Sequence, residues 1–483
     1  MDTDSTRWLK LRSGSDIRSR EDTLTDDICE RIGYAFACML AERLKTTPDQ
    51  LAIAVGRDAR PSGRRIKAAL VRGITAADSD VIDSGACATP ALFSQVVRPS
   101  SEHPAHGAVM VTGGDLPLTQ NGFKFLTVHG GLEEADVALM LRMASACEVP
   151  ERLVARADLM EGYRAFLLRE AARLLKDDAL KPLLGLYVAI DDTSLGGRFF
   201  AALMEDLGAD IERVTDEKMP DEVPRYGADL GISFDEDSVR AWVYDAQGRS
   251  IDGNRLIALI AAMLLNQKPG LTFVTDSVTS TGLSAFIAEW GGVHYRFKRG
   301  YRNVINEAIR LNDEGIDCPL AIETTGHAAF RDNAFLDDGI YLAFRVCCEA
   351  LDCKREGRTV FDPLTDLSEP VEIKALRLNI LDEEDPAASS QEVTEIILSH
   401  TLVDPEWQMA PDSREGVRIT FNLDGGVNNA WFQLRMSVHD PIMALAAESD
   451  VPGGVKRVLT ALYSLIKDTE LLDLAPLKAA ISE

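Results

Sequence analysis

LAIAVGRDARPSGRRIKAALVRGI, residues 51–74, is the stretch from which the fold can be read. Leu51–Asp58 is an apolar, β-rich run ending on an aspartate. Ser62 and Gly63 follow, RRIKAALVRGI then has helical spacing, and Asp80–Gly85 returns to strand character. The same plan recurs twice. Leu186–Asp191 (LYVAID) leads to Ser194, Gly196, the helical GRFFAALMEDLG and the strand-like ADIERV. Leu271–Asp276 (LTFVTD) leads to Ser280, Gly282, the helical LSAFIAEWGG and VHYRF. Short β-rich runs alternating with amphipathic helical stretches build βα units on largely parallel sheets. Their recurrence at long spacing predicts three consecutive α/β domains with mixed, mainly parallel sheets rather than one large sheet.

Outside these units the chain changes character. A charged, helical stretch from Glu151 to Lys181 separates the first unit from the second, NQKPG at 266–270 the second from the third, and DPLTDLSEP at 362–370 closes the third. Beyond it VEIKALRLNI, GVRITFNL and NAWFQLRMS alternate as antiparallel strands do, and Gly454–Lys467 is helical, so the last part is α+β. DEEDP at 382–386 reads as a solvated loop. The expected domains are therefore 1–155, 156–265, 266–368 and 369–483.

A chain of 483 residues is too long for one core, in keeping with several domains. Its 77 acidic and 51 basic residues give a formal charge of −26, a field that repels polyphosphate backbones and anionic membranes. A small phosphorylated ligand needs only a local cluster of Arg, Lys or His. No segment has the apolar length of a membrane span, and MDTDSTRWLK at the start is unlike a signal peptide. The eight cysteines show no CxxC and no repeating spacing, as expected of reduced thiols. These features predict a cytoplasmic protein with no nucleic-acid or membrane partner.

Six stretches, spanning nearly the whole chain, resemble the signature loops of the α-D-phosphohexomutases (phosphoglucomutase, phosphomannomutase and phosphoglucosamine mutase). KLRSGSDIR at 10–18 is similar to their N-terminal G-T-S-G-x-R, VGRDARPSG at 55–63 to V-G-x-D-x-R-x-S, and ATP at 88–90 to their T-P. VMVTGGDLPLTQNGFK at 109–124 resembles the active-site loop T-A-S-H-N-P followed by N-G-x-K, and FDEDSVR at 234–240 the metal loop D-G-D-G-D-R. AIETTGH at 321–327 resembles the sugar loop G-E-x-S-G-H, preceded by RFKRGYRNV at 296–304, where Gly300 and Arg302 stand at G-x-K. LRMSVHDP at 434–441 takes the place of the phosphate loop R-P-S-G-T-E-P. A similar R-x-S-x-H-D-P marks a divergent branch of the family known from plants and some bacteria. The resemblance implies four domains around a central cleft, Arg18, Thr112 and Lys124 at the catalytic loop, and a small phosphorylated sugar as ligand. Glu323, Thr325, Gly326, His327, Arg240 and Arg302 would contact that sugar, and Arg435, Ser437 and His439 its phosphate.

The departures fall on one part of the chemistry. Gly114 stands where those enzymes carry the phosphorylated serine, and Asp115 stands for the neighbouring histidine. Asp235 and Asp237 keep two of three metal carboxylates, but Val239 replaces the third. The Mg²⁺ that the resemblance implies therefore meets an incomplete loop. Glycine has no oxygen to phosphorylate, and loss of a covalent nucleophile costs orders of magnitude in rate. Two readings follow. One is a pseudoenzyme that binds a hexose phosphate in a sensing, regulatory or assembly role, where a protein partner has a place. The other is an active mutase, an intramolecular phosphotransferase using hexose 1,6-bisphosphate, with Asp115 or Thr112 as substitute acceptor. A third, hydrolysis of a sugar phosphate with Asp115 as base, needs no acceptor.

Overall fold

A computed structural model describes residues 7–98, 104–149, 159–176, 180–382, 384–437 and 440–482. They form two compact units. Residues 1–252 and 325–360 make up the first, residues 253–324 and 361–483 the second.

The first unit holds two mixed sheets. In the first of them Ala52–Arg57 pairs in parallel with Asp80–Ala86 and with Gly107–Val111. Gly107–Val111 is antiparallel to Gln120–Thr127, which is antiparallel to Asp16–Arg20. All five residues of Gly107–Val111 are buried, as expected of a strand inside the sheet. The second sheet repeats the plan. Tyr187–Ile190 runs parallel to Asp210–Arg213 and Leu230–Phe234, and Ala241–Asp245 turns back antiparallel. Two of the three repeated aspartates close the turn after their strands: an oxygen of Asp58 accepts from the Arg60 backbone at 3.0 Å and one of Asp191 from Thr193 at 2.9 Å, whereas Asp276 accepts from the amide and hydroxyl of Thr324. Ser194 and Ser280 then cap the helices Leu195–Asp206 and Thr281–Glu289 through their hydroxyls.

Helices Asp26–Leu44 and Gly63–Ala76 cover the first sheet and touch through two glycines. A Cβ on Gly73 would lie 1.8 Å from the Glu30 carbonyl oxygen, and one on Gly33 2.2 Å from that of Leu70. Both neighbours are backbone and cannot swing aside. Gly73→Ala is expected to force the helices apart and destabilise the first unit by about 1–3 kcal/mol, read as a lowered thermal midpoint.

In the second unit Thr272–Thr275 pairs in parallel with Val293–Arg296 and Leu320–Ile322. The other sheet is antiparallel, ordered Glu372–Asn379, Ile442–Ser449, Ala430–Met436, Val417–Phe421, Gln408–Met409. Its core takes Val393 and Ile397 from helix Pro386–Thr401, and Val458, Leu459 and Leu462 from helix Gly454–Ile466. Two elements here depart from the sequence expectation. Ile442–Ser449 is paired on both sides and buried at six of eight positions, so the two-residue alternation that betrays Glu372–Asn379 is missing from it. The loop expected at 382–386 ends in a helix start, with Asp385 accepting from the Ala388 backbone and Pro386 at the first turn. Of the helical stretch expected over 151–181, Met160–Leu175 is a helix, while 151–158 and 177–179 lie outside the described residues. Among the described residues no helix is long and apolar enough to cross a membrane.

Candidate functional site

The turn after Gly107–Val111 carries Thr112, Gly114 and Asp115. The Thr112 amide donates to the Gly122 carbonyl at 3.1 Å, and the Gly114 amide donates to the Thr112 hydroxyl at 2.9 Å. Thr112 is fully buried and its hydroxyl also bonds the Asp58 carboxylate. Gly114 sits at φ +60°, the left-handed region that favours glycine, yet only Arg18 Nη2, at 3.9 Å, comes within 4 Å of a Cβ added there. The position has space for a side chain but not its preferred backbone. Arg18 is held beside it, Nη1 donating to the Thr112 carbonyl at 3.1 Å and Nη2 pairing with Asp16 at 2.9 Å.

Arg60, which its motif does not single out, shapes this loop. It is 1% exposed. Its Nε pairs with Asp58 at 3.1 Å, Nη1 donates to the carbonyls of Pro117 and Gln120 at 2.7 and 3.0 Å, and Nη2 to those of Gly114 and Leu116 at 2.6 Å each. Burial pushes the Asp58 carboxyl up, against the pull of the Thr112 hydroxyl and Arg60. Arg60 also explains Gly113, whose Cβ would fall 2.7 Å from the guanidinium carbon. The signal was present in VGRDARPSG, but nothing in its spacing says that an arginine there reaches a loop more than fifty residues away.

Arg240 bridges two acids. Its Nη2 lies 3.0 Å from Asp115 Oδ2, while its Nε and backbone amide donate to the two oxygens of Asp235 at 3.0 and 3.1 Å. Burial acts to raise the Asp115 carboxyl, but the Arg240 guanidinium outweighs it and holds the group below its ordinary value. Asp237 is fully buried with its Oδ2 3.1 Å from Lys124 Nζ, and that ammonium keeps it ionised against burial. Next to this cluster His327 Nδ1 is 2.7 Å from Asp337 Oδ2. Gly326, at φ +93°, brings the chain into ordinary contact distance of Arg240, whose backbone forms a β-bridge with that of His327. Thr325 opens the same segment.

This donor set offers a magnesium ion an incomplete shell, although among the described residues both buried Asp237 oxygens are without a hydrogen-bond partner. Both oxygens of Asp235 are engaged by Arg240, the Asp237 carboxylate faces an ammonium, and the third ligand position is Val239, 2% exposed. Among the described residues no group of three acidic, histidine or cysteine side chains is placed to hold a metal. Lys124 and Arg240 already supply the positive charge that a hard cation would bring to these carboxylates.

The remaining candidates lie in the second unit. Glu323, 3% exposed, accepts from the Gly300 amide at 2.6 Å. Arg435 Nε is 3.7 Å from Glu415 Oε2, which also accepts from the Arg299 amide at 3.1 Å. Burial lowers the Arg435 guanidinium, opposed by Glu415, Asp276 and Glu323. Ser437 accepts weakly from the Asp440 amide at 3.4 Å, and Arg302 is buried on helix Tyr301–Asp313. His439 lies outside the described residues.

Residues 10–142 match the family pattern "Phosphoglucomutase/phosphomannomutase, alpha/beta/alpha domain I", and residues 252–369 match its domain III. Together they span just over half of the chain. The chain belongs to the α-D-phosphohexomutase family. A phosphoglucomutase of Neisseria gonorrhoeae is 25% identical to this phosphohexomutase-family chain over 470 residues, covering 92% of it and 94% of the relative. A phosphoglucomutase/phosphomannomutase family protein from Burkholderia thailandensis has a structure with TM-score 0.77 at 22% identity, covering 96% and 99% of the two chains. The N-acetylphosphoglucosamine mutase of Aspergillus fumigatus, solved with GlcNAc-6P and magnesium, has TM-score 0.57 at 12% identity over 97% and 99%. At these identities the solved structures speak for the fold: several α/β domains on mixed sheets.

Proposed function

We propose that this phosphohexomutase-family protein binds a hexose phosphate without running the phosphoserine cycle, and acts in the cytoplasm as a pseudo-mutase with a binding or regulatory role. One observation carries the reading: the carboxylates that would serve phosphoryl transfer are already engaged by cations of the chain itself, Asp237 by Lys124 and Asp235 with Asp115 by Arg240. With glycine at position 114, neither a nucleophile nor a free metal cradle stands beside Arg18. The substitute acceptors are poorly placed. Thr112 is fully buried with its hydroxyl in two hydrogen bonds, and Asp115 is tied to a guanidinium. In-line phosphoryl transfer tolerates little misplacement. Ligand binding is supported by the sugar-phosphate chemistry named for the relatives and, within the second unit, by Glu323, Arg435 and Ser437, which keep donors and acceptors for a phosphorylated sugar.

The test is to incubate the protein with glucose 1-phosphate, a trace of glucose 1,6-bisphosphate and Mg²⁺, following isomerisation, intact mass and thermal midpoint together. Glucose 1-phosphate is expected to raise the midpoint, with no turnover and no added phosphoryl mass. Turnover with a phosphoryl group mapped to Asp115 or Thr112 would establish the substitute-acceptor mutase instead. An unchanged midpoint would remove the ligand.

A further inference from the structure

A cavity of about 430 Å³ lies in the first unit, lined by Arg57, Arg60, Pro61, Arg64, Ala86 and Leu195. Its cationic positions lie outside those that the family resemblance gives to sugar or phosphate. Its size is that of a small-molecule site. Its charge is unusual for this chain, in which acids outnumber bases by 77 to 51 and most guanidiniums end on a carboxylate. Arg57 and Arg64 do not: among the described residues no carboxylate oxygen lies within ion-pair distance of either. Arg57 spends one N–H on its neighbour's carbonyl, Asp58 O at 2.8 Å, and its alkyl stem rests 3.4 Å from where a Cβ on Gly63 would lie. The stem thus runs over the first turn of helix Gly63–Ala76, whose N-cap residue Ser62 makes no side-chain cap and accepts instead from Asn121 Nδ2 at 3.0 Å. Arg57 and Arg64 therefore line one cavity at the first turn of a fourteen-residue helix. Arg60 forms its wall with all five N–H groups already committed to Asp58 and the loop carbonyls.

We propose that this cavity binds a phosphorylated small molecule through its phosphoryl oxyanions, held in the forks of Arg57 and Arg64 at the start of helix Gly63–Ala76. Planar guanidiniums suit phosphoryl oxygens bidentately, and a cavity of this volume takes the phosphoryl group with part of the body attached to it. Because Arg60 is both wall of the cavity and clamp of residues 114–120, an occupied site also stiffens that loop. The proposal stands independently of whether the protein turns over a hexose phosphate.

The test is calorimetric titration of the full chain with inorganic pyrophosphate at constant ionic strength. Arg57→Gln/Arg64→Gln is expected to weaken binding at least tenfold. Arg64→Gln alone, at an exposed position, weakens it less and leaves the thermal midpoint unchanged. Arg65→Gln, one residue along and paired with Asp26, removes the same charge and is expected to leave affinity unaltered. Hydrogen exchange in residues 112–120 should slow on addition of pyrophosphate in the wild type and not in the double variant. No binding to the wild type, wild-type affinity in the double variant, or an equal loss in Arg65→Gln each overturns the assignment.

Discussion

Arg60→Ala is expected to cost the first unit about 3–5 kcal/mol, the cost of breaking a buried ion pair by removing one partner. The substitution does more than delete a cation. It leaves Asp58 charged at zero exposure, and it withdraws the donors from the carbonyls of Gly114, Leu116, Pro117 and Gln120. Asp58 can escape by taking a proton, since burial already pushes it up, but the carbonyls have no such exit. The loop at 112–120 should therefore lose hydrogen-exchange protection before the sheet does, and the thermal midpoint of the first unit should fall. Arg60→Lys keeps the charge but replaces a planar fork with a point donor, so its loss should lie between wild type and alanine. A midpoint and a loop protection that match wild type in Arg60→Ala would mean that the clamp contributes nothing.

The second large effect is a gain. Gly114→Ser, Asp115→His and Val239→Asp combined are expected to raise phosphoglucomutase turnover from background by on the order of 10⁴-fold, the scale of losing a covalent nucleophile. Each change has a physical condition. Serine at 114 has room, with only Arg18 within 4 Å of its Cβ, but must hold φ near +60°, a strain of roughly 1 kcal/mol. Removing the Asp115 carboxylate frees one end of Arg240, and aspartate at 239 adds a third acid beside Asp237. The net charge of the cluster stays as it was, but three carboxylates then stand in one loop to meet a divalent cation. Gly113 should stay, because Arg60 occupies the space an alanine there would need. The readouts are turnover, phosphoryl mass on the protein and Mg²⁺ dependence. Phosphorylation without turnover would place the remaining defect at Glu323 or Arg435. No phosphorylation would mean that Lys124 and Arg240 keep the acids closed to metal even with three present.

The legible and illegible parts of the protein divide on physical lines. Strand–Asp–Ser–Gly–helix units were readable because period, turn chemistry and capping are local, so 51–86, 186–213 and 271–296 all form parallel βα pairs. Ile442–Ser449 was missed because a strand paired on both sides and buried on both faces loses its alternation. Gly114, Asp115 and Val239 were visible as residue types, and the sequence alone determined that no serine can be phosphorylated at 114. Only the tertiary structure decided what replaced the lost machinery. Arg240 joins Asp115 to Asp235, Lys124 meets Asp237, and Arg60 holds the loop, all across long stretches of chain. Such pairs depend on where separate strands and loops end in space, and the burial that makes each of them matter is a property of the folded chain.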